Sequence, residues 1–235
     1  MHTEAQDING ILLLNKPRNY SSNAALQQVK KLYNAKKAGH TGSLDPLATG
    51  MLPICFGRAT KSSQQFLNAD KFYEVTGLLG IKTDTGDVHG QVIREVSKVN
   101  ITASQLTTAI NQFKGAGQQI PPMFAAIKHK GLPLYKYARR GITIERKPRA
   151  IIIHKLLMTH FDHLHFTLQV LCSKGTYIRS LIADLGDLLG VGAHVTYLHR
   201  IYTAGFANAP MFTLAELKSK SVSERHSLLL SLEPR

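Results

Sequence analysis

The sequence predicts an α+β fold built around a mixed sheet with flanking helices, on three observations. Apolar or alternating runs of strand length recur along the chain, and amphipathic helical segments fall between some of them. The two do not follow the strict strand–helix–strand rhythm of a parallel α/β sheet. The chain has 235 residues and a hydrophobic fraction of 43%, enough for a substantial core.

Taken in order, ILLLN at 11–15 is a short apolar run that reads as a buried strand. SSNAALQQVKKLY follows as a helix capped by Ser21, Ser22 or Asn23, with Leu26, Val29 and Leu32 or Tyr33 on its apolar face. A glycine-rich loop, GHTGSLDPLATG, covers 39–50. KFYEVTGLLG at 71–80 alternates like a strand, and TDTGDVHG closes it as a turn-rich connection. Thr102 and Gln105 form a capping-box pattern ahead of Leu106, Ile110 and Phe113, and Gly115 stops that helix. AIIIHKLLM and HFTLQVLC read as two strands joined around His160–His163. YIRSLIADLGDLLG is a helix with Ile178, Leu181, Ile182, Leu185 and Leu189 inward. The tail beyond Pro210 reads as short and weakly patterned.

Lysine and arginine total 29 against 15 acids, for a net charge of +14. That balance points to a polyanionic partner, and the clustering of basic residues with aromatics favours nucleic acid over a merely solvated basic face. Cys55 and Cys172 are too few for a disulfide scaffold or a four-cysteine zinc site and read as buried hydrophobes in a reducing compartment. MHTEAQDING lacks the pattern of a signal peptide, and no apolar run approaches membrane-spanning length, so a soluble cytoplasmic protein is expected.

Asp45 is the only acid between Ile8 and Ala69, a stretch that also holds Lys16, Arg18, Lys30, Lys31, Lys36, Lys37, Arg58 and Lys61. Asp followed by Pro46 is a standard helix start, with Asp as N-cap. Gly50 and Pro53, however, leave barely a turn of helix to cap. A residue before proline also favours extended backbone, which can hold a carboxylate outward, and the neighbouring glycines admit a bulky ligand. On the residues alone the structural and catalytic readings both stay open. Arg179 lies at the start of a helix, where the macrodipole disfavours a cation, so it calls for a counter-charge. A carboxylate supplied from elsewhere would be held ionised, which suits a nucleophile; the plain alternative is a surface or phosphate-binding arginine.

Tyr73 and Tyr177 read as half-buried core or as platforms for an unstacked base. KHKGLPLYKYARRG at 128–141 interleaves Lys128, Lys130, Lys136, Arg139 and Arg140 with Tyr135 and Tyr137, and no acid occurs from Val96 to Ile144. Such a segment reads as a mobile element that closes on a phosphate backbone. TDTG at 83–86 stands once and lacks the setting of an aspartic-protease triplet. GRATKS at 57–62 lacks P-loop glycine spacing. His160, His163 and His165 read as exposed turn histidines rather than a metal site.

From Gly10 to about Phe212 the sequence closely resembles the bacterial TruB-type tRNA pseudouridine synthases. The resemblance rests on NKP (15–17), KKAGHTGSLDPLATGMLPICFGRATK (36–61), KFYEV (71–75), TDTGDVHGQ (83–91), AAIKHKGLPLYKYARRG (125–141) and CSKGTYIRSLIADLG (172–186). It implies the mixed, mainly antiparallel sheet of the pseudouridine synthase fold, with a central RNA-binding cleft and tRNA, through its T-stem loop, as partner. It makes Asp45 the nucleophile of uridine-to-pseudouridine isomerisation, acting by attack at C1′ or by way of a glycal-like sugar. Arg179 falls on the arginine that pairs with that aspartate, and Tyr73 on the tyrosine that stacks on the target base and is implicated in proton removal from C5. His40 matches the histidine that fills the space left by the flipped uridine. Lys16 and Pro17 match a motif supporting the site, and Tyr177 and Leu198 match residues lining the pocket. The 124–150 segment corresponds to a thumb closing over RNA, so Lys128, Lys130, Arg139 and Arg140, together with Lys61, are expected to contact it.

No cofactor and no metal is called for by a reaction that detaches, rotates and rejoins one base within one pocket. A monomer is expected. Asn15 and Asn19 depart from the family pattern of Asp and glycine, and asparagine tolerates a left-handed backbone at the second position. The resemblance divides the chain into a catalytic domain over 1–212 and a tail over 213–235, with the family's C-terminal PUA domain absent or truncated. Two rivals follow from the same features: a tRNA-binding or folding chaperone acting without catalysis, and a synthase addressed to another RNA through a guide complex.

Overall fold

In a computed structural model, which describes residues 4–231, residues up to Phe72 pack with those from His199 onward as one unit, and Tyr73–Leu198 form a second. In chain order the elements are β1 (Gly10–Lys16), α1 (Ser22–Leu32), β2 (Ala38–His40), β3 (Thr49–Phe56), a 3-10 segment (Gly57–Ser62), α2 (Ser63–Asn68), β4 (Lys71–Leu79), β5 (Ile81–Thr83), β6 (Val92–Glu95), α3 (Ala103–Asn111) and β7 (Gly115–Gln119). They continue with β8 (Lys128–His129), β9 (Leu132–Pro133), α4 (Leu134–Ala138), β10 (Arg149–Phe161), β11 (His165–Cys172), α5 (Ile178–Leu188), β12 (Ala193–Thr203), α6 (Leu214–Ser219) and α7 (Val222–Ser227). The expected mixed, mainly antiparallel α+β architecture is what these elements build.

In the first unit β1 runs antiparallel to β3, from Gly10 opposite Phe56 to Lys16 opposite Gly50, and β2 adds antiparallel at the far end of β3. The end of β12 joins β3 in parallel, His199 opposite Thr49 and Arg200 opposite Gly50. Burial on both faces explains why β1 is a continuous apolar run. Ile11, Leu13, Met51, Cys55, Ala59, Phe66 and Phe206 form one core cluster, each large side chain contributing about 1.5–3 kcal/mol. Pro53 sits mid-strand in β3 without breaking it. Its carbonyl accepts from the Thr41 amide, and its missing N–H falls where the pairing with β12 has ended and that with β2 begins. Of the three cap candidates for α1, Ser21 accepts from the Ala24 amide, and Ala25, Leu26, Val29 and Tyr33 turn inward.

In the second unit the strand order is β4–β11–β10–β7, with β10 antiparallel to both β11 and β7. The β10–β11 hairpin turns at Asp162, whose carboxylate accepts from the amide of His165, with His163 at φ 74°. The Thr102–Gln105 capping box forms as read, and Ile178, Leu181, Ile182 and Leu185 bury the inner face of α5 while Leu189 is only half-buried. The tail is better ordered than its composition suggests. Thr213 with Glu216 and Ser221 with Glu224 each make a full capping box, starting α6 and α7. No helix among the described residues is long and apolar enough to cross a membrane.

Candidate active site

Asp45 does not cap a helix. Its carbonyl accepts from the Ala48 amide at 3.0 Å, so Asp45–Ala48 is a turn with proline at its second position. The turn is held from several sides. Ser22, in the first turn of α1, exchanges two hydrogen bonds with the Leu44 backbone: its hydroxyl donates to the carbonyl at 3.0 Å and accepts from the amide at 2.8 Å. The Asn19 amide donates to Pro46 at 2.7 Å, and Asn19 takes the left-handed φ of 65° that its asparagine tolerates. Arg200, 1% exposed on β12, donates through Nε to the Met51 carbonyl at 2.6 Å and through Nη2 to the Gly42 carbonyl at 2.9 Å. Next to it, His199 Nδ1 and Thr49 Oγ1 are 2.8 Å apart. Gly50, at φ 97°, lies so close to the Arg200 backbone that a methyl group would overlap it, which fixes glycine at the loop's end.

The same unit buries Lys16 completely. Its ammonium donates to the carbonyls of Pro17 at 2.9 Å and Tyr20 at 2.7 Å. Burial pulls the amine down to about 8; the Asp45 charge opposes that fall and Arg200 adds to it. Lys16 therefore sits in one electrostatic group with Asp45 and Arg200, feeling the carboxylate as an attraction and the guanidinium as a repulsion. His40 is also lowered, by burial and then by Arg200, and its buried Nδ1 has no hydrogen-bond partner among the described residues. A neutral imidazole at the loop's edge suits contact with a base better than contact with a phosphate.

The Lys16 value carries a pH signature. The folded amine titrates below the 10.5 of an unfolded chain, so protonated Lys16 opposes folding at pH 7. That cost persists down to low pH and disappears as pH rises from about 8 towards 10.5. The folded ammonium itself loses its charge around pH 8. Turnover should decline along an alkaline limb near pH 8, and Lys16→Arg, which keeps its charge, should push the limb upward. A turnover profile that stays flat through pH 9 would contradict the role given to this ammonium.

In the second unit Arg179 is the centre of its own network. It is 3% exposed, in the first turn of α5. Nη1 donates to the Thr85 carbonyl at 2.6 Å, Nη2 to the Phe124 carbonyl at 2.7 Å, and Nε lies 4.0 Å from the Asp87 carboxylate. Asp87, 5% exposed, also accepts from Thr85 Oγ1 at 2.8 Å and from the His89 amide at 3.0 Å. The counter-charge that a cation at a helix start calls for is thus supplied in part by the TDTGD turn. Tyr177 precedes α5 as its N-cap residue. Gln119 bonds both of its backbone groups, accepting from the amide at 2.7 Å and donating to the carbonyl at 3.1 Å. Tyr73 is buried on an inward position of β4, 8% exposed, and Leu198 is buried on β12.

Lys128 and Lys130 lie on a short β8–β9 hairpin, and Arg139 and Arg140 follow α4; all four are exposed. Leu134 anchors the segment at 3% exposure, and Arg139 stacks over Tyr135 at 5.4 Å. Lys61 is exposed on the 3-10 segment, in a groove of about 400 Å³ shared with Lys37, Arg58 and Asn9. The structure therefore gathers Lys16, His40 and Asp45 around Arg200, and Tyr177 and Arg179 around Gln119 and Asp87. Sequence reading overlooked Arg200, Asp87 and Gln119. A lone charge inside the alternating strand LHRIYT is the one signal that could have exposed Arg200. Lys71 was also overlooked. It is 6% exposed and donates to three carbonyls at the end of α2, those of Phe66, Leu67 and Ala69.

Two family models match the chain: TruB family pseudouridylate synthase (N terminal domain) over residues 30–178, and tRNA pseudouridylate synthase B C-terminal domain over 179–233. A Legionella pneumophila protein named tRNA pseudouridine synthase B is 57% identical over 226 residues, covering 96% of this chain and 75% of the relative. A protein of the same name from Tolumonas auensis is 56% identical over 214 residues, covering 91% of this chain and 66% of its own. Among solved structures, one described as a Cbf5-Nop10-Gar1 complex superposes with a TM-score of 0.72 at 26% identity, over 94% of this chain and 60% of the matched one.

Proposed function

The chain belongs to the TruB family of pseudouridylate synthases, and from that premise we propose that it isomerises a T-loop uridine of tRNA, at position 55, to pseudouridine. It does so as a cytoplasmic monomer that grips the T-stem loop. The observation that carries this reading is the setting of Asp45. The only acid of a long basic stretch stands on a glycine-bordered turn, coupled by charge to fully buried Lys16. The charges of Asp45 and buried Lys16 act on each other, which sets the carboxylate in a positive surrounding from which it can act on an electron-poor sugar carbon.

In this reading the uridine is flipped out of the T loop. Asp45 acts at C1′ while the C1′–N1 bond breaks. The uracil then rotates and C5 bonds to C1′; N1 gains a proton and C5 loses one, so the net change is an isomerisation. Arg179 serves as counter-ion to Asp45, Tyr73 stacks on the base and takes part in moving the C5 proton, and Tyr177 and Leu198 line the pocket. His40 fills the space vacated in the loop, and Lys16 and Pro17 support the nucleophile's turn. Lys61, Lys128, Lys130, Arg139 and Arg140 neutralise phosphates. The test is tritium release from a T-loop minihelix labelled at C5 of uridine, since only loss of the C5 hydrogen liberates label. Stoichiometric release is expected. Binding without release would replace the reading by that of a tRNA-binding chaperone.

A further inference from the structure

We propose that Gln119 is a positioning residue for Arg179 and Tyr177, locking the start of α5 to the root of the basic 124–150 segment; the proposal rests on the catalytic reading above. Gln119 ends β7, where its backbone lies opposite Arg149 of β10. The residue is 5% exposed and its side chain turns to Tyr177. There the amide oxygen accepts from the Tyr177 N–H at 2.7 Å and the amide nitrogen donates to the Tyr177 carbonyl at 3.1 Å. One donor and one acceptor on the backbone fix the amide's orientation, because the flipped amide would set donor against donor and acceptor against acceptor.

The lock fills a specific gap. Tyr177 is the N-cap residue of α5, and its side chain makes no capping bond. Its own N–H, at a partly buried helix start, is satisfied by Gln119. Two residues further on stands Arg179. Just downstream of Gln119 the chain is tied to the same turn of helix twice more. Ser180 Oγ donates to Ile120 at 3.4 Å, and Arg179 Nη2 donates to Phe124 at 2.7 Å. Residues 119–124 and 177–180 are thus joined along their length, and residue 124 is where the basic segment begins. Gln119 is the part of this seam with two bonds of good length and no contact with the reacting groups, so it sets where Arg179 and Tyr177 stand without touching substrate.

The experiment compares Gln119→Leu and Gln119→Glu with wild type on the T-loop minihelix, measuring kcat, minihelix Kd and amide exchange at Tyr177. Gln119→Leu removes both bonds. It should lower kcat by about 30-fold while Kd changes by no more than about threefold, because displacement of a catalytic group costs rate and not phosphate contacts. The Tyr177 amide should lose protection. Gln119→Glu adds a signature that a merely structural role would not give. As a carboxylate it sets oxygen against the Tyr177 carbonyl, but as a carboxylic acid it reproduces the donor and acceptor of glutamine. Its kcat relative to wild type should therefore climb as pH falls towards 5. The proposal is overturned if Gln119→Leu keeps kcat within twofold of wild type, or if the relative kcat of Gln119→Glu is independent of pH. A wild-type chain that forms no pseudouridine would strike the functional reading alone. Unchanged Tyr177 protection in Gln119→Leu would then still overturn the lock.

Discussion

Asp45→Asn is expected to abolish turnover, by about 10⁴-fold or more, while leaving the affinity for a T-loop minihelix nearly unchanged. Asparagine keeps the size of the side chain and the turn. The Asp45 backbone carbonyl still receives Ala48, and Ser22, Asn19 and Arg200 still hold the loop through neighbouring backbone groups. What goes is the charge and the oxygen proposed as the nucleophile. Binding should persist because the exposed cations proposed to carry it, Lys61, Lys128, Lys130, Arg139 and Arg140, lie on other elements. A second readout follows from the electrostatic group. Asp45 raises the Lys16 amine against the effect of burial, so in Asp45→Asn that amine should titrate still lower. NMR of the lysine side chain can follow this. A mutant that binds and still turns over at a substantial rate would end the nucleophile assignment.

Asp87→Asn is expected to lower kcat by about 10²-fold and to destabilise the fold by about 2–4 kcal/mol. The Asp87 carboxylate and the Arg179 guanidinium are both almost wholly buried, with Nε 4.0 Å from Oδ2. Removing one charge of a buried pair leaves the other poorly compensated. The oxygen of the substituted amide can still accept from Thr85 and His89, so the turn should survive, but the amide nitrogen would present a donor to a donor. Thermal unfolding and single-turnover kinetics separate the two effects. A variant with wild-type kcat and lowered stability would show that Asp87 serves folding only.

Much of the first unit could be read in advance because it follows local rules. Apolar ILLLN is buried on both faces, and Ser21 starts α1 by accepting from Ala24. Asn19 takes the left-handed backbone its chemistry permits. The Asp45–Pro46 pair was ambiguous because the same dipeptide begins helices and turns. The tertiary bonds that decide it, from Asn19 and from Ser22 beside it, come from residues 22–27 positions away. Strand β3 escaped notice because Pro53 argues against a strand, and only the pairing gap beside it makes proline acceptable. Helices α6 and α7 were within reach, since T-x-x-E and S-x-x-E are capping signatures, but each is only six residues long. Asp87 meets a side chain, Arg179, from a distant helix, and Arg200 and Gln119 bond to backbone atoms far off in sequence. A partner of that kind has no residue identity to read, which is why the supporting residues of the site were invisible while Asp45 and Arg179, carried by motifs, were not.

Asp45-dependent isomerisation of the T-loop uridine is tested most directly by mapping pseudouridine along a complete unmodified tRNA transcript after incubation with the wild-type chain and, in parallel, with Asp45→Asn. Pseudouridine carries a carbodiimide adduct that survives alkali and stops reverse transcription, so each modified position gives its own stop. One stop, at the T-loop uridine, is expected with the wild-type chain and none with the variant. A stop elsewhere in the tRNA, or the same T-loop stop at comparable strength with Asp45→Asn, would contradict it.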